Sequence, residues 1–239
     1  QKESLMNNFI FDVDGTLTPS RDKIDFKFGE WFKQFQQQNN IFLVTGSDRS
    51  KTIEQVGAEI FNFARRVYNC SGSEVWEQDK KVYSSEWELP MYVRWWLEKH
   101  LDASAFPVKT GLHIEERPGM VNFSIVGRNA DRNQRKLYVA WDSERQERIE
   151  IAKSFERKFS DIQAKVGGET GIDIFPKGCD KSQILRDFDS TDELYFFGDR
   201  MDDDGNDYPL SEAILSNQLG KCYHVKDWKH TWNLLKEVA

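Results

Sequence analysis

The sequence has little cysteine, no long apolar run and no excess of positive charge. Its three cysteines, Cys70, Cys179 and Cys222, are far apart and form no CxxC pair, so we expect reduced thiols rather than disulfides or a zinc site. No apolar run approaches the roughly 20 residues of a membrane helix, and the first residues resemble no signal peptide. A formal net charge of -7 argues against nucleic-acid and anionic-membrane partners. We therefore expect a cytoplasmic protein.

The chain has enough length and aromatic content for a large core. Of its 239 residues 13% are aromatic, which excludes a disordered chain because such side chains bury large surfaces. Short, uniformly apolar runs end in small or acidic residues, as parallel strands covered on both faces do. Such runs lie at 9–11, 41–44, 66–68, 194–197 and 221–225.

Helical patterns lie between these runs. Asp25 can cap a helix whose aromatic residues recur every three to four positions, and similar patterns cover 48–63 and 181–188. Alternating strands and helices predict an α/β fold with a Rossmann-like, doubly wound parallel sheet. Ligands of such sheets bind at the carboxyl ends of the strands.

The middle of the chain follows a different pattern. Helix candidates lie at 91–101 and 150–159, and runs at 121–126 and 172–175 alternate in polarity, as half-buried antiparallel strands do. We therefore predict a small α+β domain inserted into the first. The predicted boundaries are 1–82 for the first part of the core, 83–176 for the insert and 177–239 for the second part of the core.

A pair of carboxylates directly follows the first predicted strand. Asp12 and Asp14 stand two residues apart on a sharp turn, and Gly15 permits a bend beside an anionic ligand. Two such carboxylates repel each other unless a cation neutralises them, which implies a bound Mg2+. A capped surface turn explains this short motif equally well.

The string DVDGTLT resembles the nucleophile motif of the haloacid dehalogenase superfamily of phosphotransferases. Three further motifs resemble those of this superfamily, in the same order and at predicted strand ends. They are a turn that binds the phosphoryl group, a lysine that stabilises it and an acidic loop that binds metal. The matching residues are Thr45, Gly46 and Ser47 for the first, Lys181 for the second, and Asp199 and Asp207 for the third.

A closer resemblance, over most of the chain, is to the eukaryotic-type phosphomannomutases, members of that superfamily with an inserted type IIB cap. Long strings carry it, among them GSDRSKTIEQVG, ERPGMVNFSIVGR, IDIFPKGCDKSQILR and FFGDRMDDDGND. The resemblance implies that the insert sets specificity and that the enzyme interconverts the 1- and 6-phosphates of mannose or glucose. It also implies a hexose 1,6-bisphosphate activator, a role in mannose metabolism and a homodimer formed through the cap.

The resemblance assigns catalytic and metal-binding roles. Asp12 would form the aspartyl phosphate, and Asp14 would act as general acid and base, while Lys181 offsets the phosphoryl charge. Mg2+ would be held by Asp12, the backbone carbonyl of Asp14 and Asp199. Asp207 would orient Lys181 or a metal-bound water.

The resemblance also implies a set of substrate-binding residues. Guanidinium groups bind phosphate bidentately, so arginines of the cap and of the domain junction would anchor the distal phosphate. A carboxylate of the cap would accept the sugar hydroxyls. These substrate-binding residues are Arg21, Arg117, Arg128, Arg135 and Asp173.

The chain departs from the family pattern at several places, and these departures leave alternative functions open. Gly171 replaces a usual serine, so a sugar or phosphate contact is lost, and residues 70–72 replace Glu-Asn-Gly. The acidic run 202–204 stands where this loop is usually neutral in the family. We interpret the run as a solvated turn, with an extra cation site as the alternative. A sugar-phosphate hydrolase that uses the same residues is the alternative function, and a non-catalytic sensor is a third. Retained cap arginines favour the mutase.

Overall fold

The computed structural model describes residues 7–238, which form two β-sheets and the helices packed against them. In chain order the strands are β1 (Asn8–Phe11), β2 (Asn40–Val44), β3 (Arg66–Asn69), β4 (Glu74–Glu77), β5 (Lys80–Ser84), β6 (Ile114–Arg117), β7 (Met120–Phe123), β8 (Ile162–Gly167), β9 (Gly171–Pro176), β10 (Leu194–Gly198) and β11 (Gly220–His224). The α-helices are α1 (Phe26–Gln38), α2 (Arg49–Val56), α3 (Ala58–Phe63), α4 (Met91–Ala103), α5 (Arg132–Arg145), α6 (Glu147–Lys158), α7 (Tyr208–Ser216) and α8 (Trp228–Val238).

The larger sheet has the strand order β11-β10-β1-β2-β3-β4-β5, and the strands from β11 to β3 run parallel. These parallel strands are the five apolar runs, so the predicted α/β fold with a parallel sheet is confirmed. The hairpin of β4 and β5 extends the sheet antiparallel and was not predicted. Its second strand is exposed along its whole length and has no apolar run.

Three helical patterns predicted for this sheet are present, whereas α7 and α8 were not predicted. Asp25 caps α1 by accepting a hydrogen bond from the backbone N–H of Phe28 at 3.0 Å. The pattern at 48–63 forms two helices rather than one, because Gly57 adopts φ +85° between α2 and α3. The pattern at 181–188 forms a 3-10 helix, Lys181–Asp187.

The smaller sheet is antiparallel, with the order β6-β7-β9-β8. Helices α4, α5 and α6 share one hydrophobic cluster with it, so the residues from α4 to β9 form an α+β unit. The predicted strands at 121–126 and 172–175 are β7 and β9, and the predicted helices are α4 and α6. Helix α5 was not predicted, because its few buried residues leave a weak apolar pattern.

We call the larger sheet with its helices the core and the smaller sheet with α4 to α6 the cap. Strand β5 pairs with β4 as far as Ser84, so the predicted edge at residue 82 falls inside a core strand. At the other end β9 of the cap finishes at Pro176. The domain boundaries remain predictions. The pairing of β5 with β4 moves the first boundary, between core and insert, to the segment between Ser84 and Met91.

Core and cap meet at the carboxyl ends of the core strands. Val166 of β8 pairs with the loop after β10: its N–H donates to the carbonyl of Asp204 at 2.9 Å, and its carbonyl accepts from the N–H of Asn206 at 3.0 Å. Arg21 Nη2 of the core donates to the Arg128 carbonyl of the cap at 3.0 Å. In the described part of the chain, no helix has the length and apolar character to cross a membrane.

Candidate active site

A narrow cavity of about 40 Å3 lies between the carboxyl ends of the core strands and the cap sheet. Strand β1 pairs with β2 on one side and β10 on the other, so the residues that follow these three strands lie side by side. Most residues predicted for the site line this cavity. They are Asp12, Asp14, Arg21, Thr45, Gly46, Ser47, Arg117, Arg128 and Asp173.

Asp12 and Lys181 form a buried ion pair on the core side. Lys181 Nζ donates to Asp12 Oδ1 and to Asp207 Oδ1, each at 2.7 Å, and all three side chains are buried. Burial and the nearby Asp207 hold the pKa of Asp12 well above its usual range, against the effect of Lys181. Burial alone would lower the pKa of Lys181, but the two carboxylates raise it, so the lysine is a fixed cation.

Asp14 lies beside Asp12 on the turn after β1. Its Oδ1 accepts two hydrogen bonds, from the backbone N–H of Arg21 at 2.6 Å and from Gln55 Nε2 at 2.8 Å. Arg21 adopts φ +55°, a left-handed conformation that directs its N–H toward this oxygen. The carboxylate is therefore held in one orientation at the wall of the cavity.

Three carboxylates converge at one spot next to Lys181. One oxygen from each of Asp12, Asp199 and Asp207 lies within 4.8 Å of the others. Burial and Asp207 raise the pKa of Asp199 to about 6, the effect of crowded carboxylates without enough positive charge. This donor set fits a hard divalent cation such as Mg2+.

Asp207 accepts two hydrogen bonds within the protein. Its Oδ1 accepts from Lys181 and its Oδ2 from the backbone N–H of Arg200 at 3.0 Å. Asp12 is held in a similar way, since its Oδ1 also accepts from Lys181 and its Oδ2 accepts from Thr16 Oγ1 at 3.3 Å. Asp207 thus contacts Lys181 as one of the two roles predicted for it requires.

The turn after β2 closes the cavity on another side. Thr45 and Ser47 are buried, and the Ser47 N–H donates to Thr45 Oγ1 at 3.1 Å. Gly46 is packed so closely under the cap that a Cβ there would lie 2.8 Å from Asp173 Oδ2. A side chain at this position would therefore collide with the Asp173 carboxylate of the cap.

Arginines supply the positive charge of the opposite wall. Arg117 donates to the Gly46 carbonyl from the cap and pairs with Glu115 at 3.1 Å, and Glu115 also pairs with Arg128. Burial opposes ionisation of Glu115, but the two arginines hold its pKa below the usual range. One carboxylate thus compensates only part of the charge of the two guanidinium groups.

Arg21 completes this positive wall from the core side. Burial, together with Arg128 and Arg135, lowers the pKa of Arg21 to about 10. Its Nε and Nη1 atoms are buried and have no hydrogen-bond partner in the described residues. Unpaired guanidinium N–H groups beside like charges are suited to an anionic ligand such as phosphate.

Arg135 lies apart from the other arginines. It lines a neighbouring pocket with Arg132 and Lys136, and its Nε is 3.9 Å from Glu169 Oε2. Ser20 and Glu169 line both this pocket and the main cavity, so the two are contiguous. The structure therefore brings Arg135 near the predicted phosphate site without placing it on the cavity wall.

Asp173 is held by amides from both domains. Asn122 Nδ2 donates to its Oδ1 at 2.9 Å, and Asn206 Nδ2 donates to its Oδ2 at 3.0 Å. Asn122 Oδ1 also lies 3.4 Å from Arg128 Nη1, so the amide bridges an arginine and the carboxylate. A Cβ at Gly171 would lie 2.5 Å from Asn122 Nδ2. The space of the usual serine is thus taken by the Asn122 amide.

The other departures from the family pattern lie beside the cavity. Cys70 and Ser71 both adopt left-handed backbone, at φ +50° and +59°, in the segment that packs against the turn after β2. In the acidic run 202–204, the Asp204 carbonyl accepts from Val166 of the cap. This run therefore takes part in the contact between core and cap.

Four residues of the site were not predicted from the sequence. Two of them, Asn122 and Asn206, hold Asp173, while Glu115 pairs with two arginines and Gln55 contacts Asp14. Gln55, Asn122 and Asn206 stand inside the long strings that carry the family resemblance, and Glu115 directly precedes one of them. No periodicity or charge pattern singles out the three amides, because their carboxylate partners lie far away in sequence.

Comparison with known proteins gives one consistent family. The family model for eukaryotic phosphomannomutase matches residues 28–239. A phosphomannomutase of Drosophila melanogaster is 31% identical over 243 residues, covering 96% of this chain and 94% of its own. One from Encephalitozoon cuniculi (strain GB-M1) is 33% identical over 212 residues, covering 84% of this chain and 83% of its own.

A solved structure shares the fold. A haloacid dehalogenase-like hydrolase from Bacteroides thetaiotaomicron matches 98% of this chain and 100% of its own, with a TM-score of 0.56 at 14% sequence identity. Similarity at this level concerns the arrangement of core and cap alone.

Proposed function

The chain belongs to the eukaryotic phosphomannomutase family, and from this premise we propose that it interconverts hexose 1-phosphate and hexose 6-phosphate through an aspartyl phosphate. The hexose is mannose, with glucose as a second substrate. The reaction is an isomerisation by phosphoryl transfer within one sugar framework.

One observation supports the proposal: the same cavity is lined by the Asp12 carboxylate, which pairs with Lys181, and by a separate group of arginines. At one end Asp12, beside Lys181, is the nucleophile for the transferring phosphoryl group. At the other end Arg21 and Arg128 present guanidinium groups to a phosphate that does not react. A hexose phosphate would meet these two groups of residues in either of two orientations, with either end of the sugar toward Asp12.

The residues then act in a defined order. With Asp12 phosphorylated, the 6-hydroxyl of mannose 1-phosphate gives its proton to Asp14 and its oxygen attacks phosphorus, and the bond from phosphorus to the Asp12 oxygen breaks, which gives the bisphosphate. The bisphosphate then turns, the Asp12 carboxylate attacks the phosphorus of its 1-phosphate, and Asp14 gives the proton to the sugar oxygen that leaves as mannose 6-phosphate. Lys181, Thr45 and Ser47 stabilise the charge on the phosphoryl oxygens. Arg117 and Asp173 hold the sugar end.

Mg2+ is the cofactor that the carboxylate cluster fits. Asp12 and Asp199 would hold it, with the backbone carbonyl of Asp14, and Asp207 would keep Lys181 in place. When bound, the ion would neutralise the charge that accumulates on the phosphoryl group. A hexose 1,6-bisphosphate would load Asp12 at the start, because free enzyme carries no phosphoryl group.

Hydrolysis of the aspartyl phosphate is the second candidate function. The solved structure that shares this fold is named a hydrolase, and water in place of the second hydroxyl would give phosphate release with the same residues. The partly unpaired arginine wall favours the mutase, because a hydrolase has no need to hold a second phosphate.

Phosphorus NMR tests the proposal. Purified protein with Mg2+ is incubated with mannose 1-phosphate, with and without mannose 1,6-bisphosphate. Formation of mannose 6-phosphate that depends on the bisphosphate is the expected result. Release of inorganic phosphate alone contradicts the mutase and favours the hydrolase. Asp12→Asn is the control and should abolish either reaction.

We also propose a homodimer formed through the outer face of the cap. Leu112 and Leu137 are more than half exposed there, and Phe106 and Trp141 line an apolar pocket beside Leu137. Sedimentation velocity tests it, and Leu137→Glu should favour monomers. Cytoplasmic localisation rests on the unpaired cysteines and stays a prediction.

A further inference from the structure

Gln55 lies on α2 and reaches the turn after β1. Its side chain is 1% exposed, and Nε2 donates to Asp14 Oδ1 at 2.8 Å and lies 3.4 Å from Thr18 Oγ1. A neutral amide buried this deeply beside a carboxylate is not needed to fill the core, since a methionine or leucine would fill the same space without a polar group.

The amide is one of two donors to the same oxygen. The backbone N–H of Arg21 also donates to Asp14 Oδ1, at 2.6 Å. Two N–H groups directed at one oxygen leave no place for a hydrogen on it. A proton carried by Asp14 must therefore be on Oδ2, the oxygen left for the cavity that Asp14 lines.

Gln55 keeps this arrangement at some cost to stability. Its Oε1 is buried and has no hydrogen-bond partner in the described residues, and a buried acceptor without a partner destabilises the folded state. The backbone carbonyl of Gln55 accepts from the N–H of Ile24 at 2.8 Å, which ties the loop that carries Arg21 to α2. Both donors to Asp14 are thus fixed relative to one helix.

We propose that Gln55 is the positioning residue of the general acid and base. It holds Asp14 so that Oδ2 gives its proton to the leaving sugar oxygen as the phosphorus–oxygen bond breaks. The same Oδ2 takes the proton back from the acceptor hydroxyl as the new bond forms. The role rests on the proposed phosphoryl transfer through Asp12 and adds the residue that orients its proton donor.

Two phosphoryl donors that differ in leaving group test this role. Cleavage of mannose 1-phosphate expels a sugar alkoxide, which needs a proton, whereas acetyl phosphate expels acetate, which needs none. Gln55→Leu and Gln55→Met should lower mannose 1-phosphate turnover about 10- to 100-fold through kcat, within the range of general acid–base catalysis. Labelling of Asp12 by acetyl phosphate, followed by mass spectrometry of the intact protein, should change less than about twofold.

Gln36→Leu is the matched control. Gln36 is another buried glutamine, on α1, whose Nε2 donates to the Ile60 carbonyl at 3.1 Å away from the cavity. It should leave both reactions unchanged.

Equal losses with both phosphoryl donors in the Gln55 variants would show a merely structural role and overturn the proposal. Unchanged mannose 1-phosphate turnover would overturn it as well. If the wild type only releases inorganic phosphate, the mutase proposal fails, but the same comparison of leaving groups still tests Gln55.

Discussion

Asn206 Nδ2 donates to Asp173 Oδ2 at 3.0 Å, and this bond joins the acidic loop of the core to the sugar-binding carboxylate proposed for the cap. The same loop contains Asp207, which holds Lys181. Asp173 of the cap is thus connected to Lys181, the lysine predicted to be catalytic, through the hydrogen bonds of two adjacent residues of the core.

Loss of the Asn206 amide should weaken closure of the cap. Asn206→Ala leaves Asp173 with the Asn122 amide alone, and a hydrogen bond to a charged group contributes about 1.5–3 kcal/mol. We expect KM for mannose 1-phosphate to rise about tenfold or more in steady-state kinetics. Asn217→Ala, which removes an exposed amide of α7, should change nothing. An unchanged KM in Asn206→Ala would contradict the connection.

Arg128 should matter for the sugar phosphate and not for the nucleophile. Arg128→Ala removes a charged donor from the wall opposite Asp12, so KM for mannose 1-phosphate should rise about 10- to 100-fold. Labelling of Asp12 by acetyl phosphate, which has no distal phosphate, should stay within about twofold. Arg157→Ala, at an exposed position of α6, is the control. Equal losses in the two assays would argue against a distal-phosphate site.

Mg2+ should stabilise the protein more as pH rises. The pKa of Asp199 is raised from 3.8 to about 6, so the folded state without metal holds a proton that the unfolded state releases. The resulting stability is complete below about pH 4 and is lost as pH rises through about 6. Mg2+ competes with this proton, so its stabilising effect should grow from about pH 5 to pH 7.

Thermal unfolding with and without Mg2+ measures this effect. Mg2+ should raise Tm by more at about pH 7 than at about pH 5, and in Asp199→Asn it should no longer raise Tm. Asp189→Asn, at an exposed position, should preserve it. A Tm difference independent of pH would show that Asp199 does not bind the ion.

The turn between β8 and β9 should depend on one buried ion pair. Arg148 pairs with Asp142 at 2.7 Å and donates to the carbonyls of Gly168 and Gly171 at 3.1 and 3.2 Å. Arg148→Met leaves a buried carboxylate unpaired, so urea denaturation should show a loss of about 3–5 kcal/mol. Arg145→Met, at an exposed position of the neighbouring helix, should lose less than about 0.5 kcal/mol.

Mild proteolysis should first cut the two segments that connect core and cap. Glu86 and Glu88 are exposed between β5 and α4, and Lys177 is exposed just after β9. Brief digestion with a glutamate-specific protease or trypsin, followed by mass spectrometry, should show the earliest cuts there. First cuts inside α5 or α6 would count against a cap that moves as a unit.

The sequence predicts the core of the fold well and the arrangement of the site only in part. The apolar runs that end at Phe11 and Val44 became neighbouring parallel strands, because burial on both faces requires such runs. The hairpin of β4 and β5 escaped prediction, since an exposed strand carries no apolar signal. Helix α5 was missed for a similar reason.

By itself the sequence determined which residues stand at the ends of the parallel strands, because chain order and apolar burial are local properties. Asp12, Asp14 and Asp199 were therefore predicted to lie at the same edge of the sheet. The family resemblance had assigned Lys181 to the site of Asp12, 169 residues away, but only the tertiary structure showed their contact and revealed Gln55 as a partner of Asp14, 41 residues away. Such contacts depend on how distant segments pack, and no spacing along the chain encodes them.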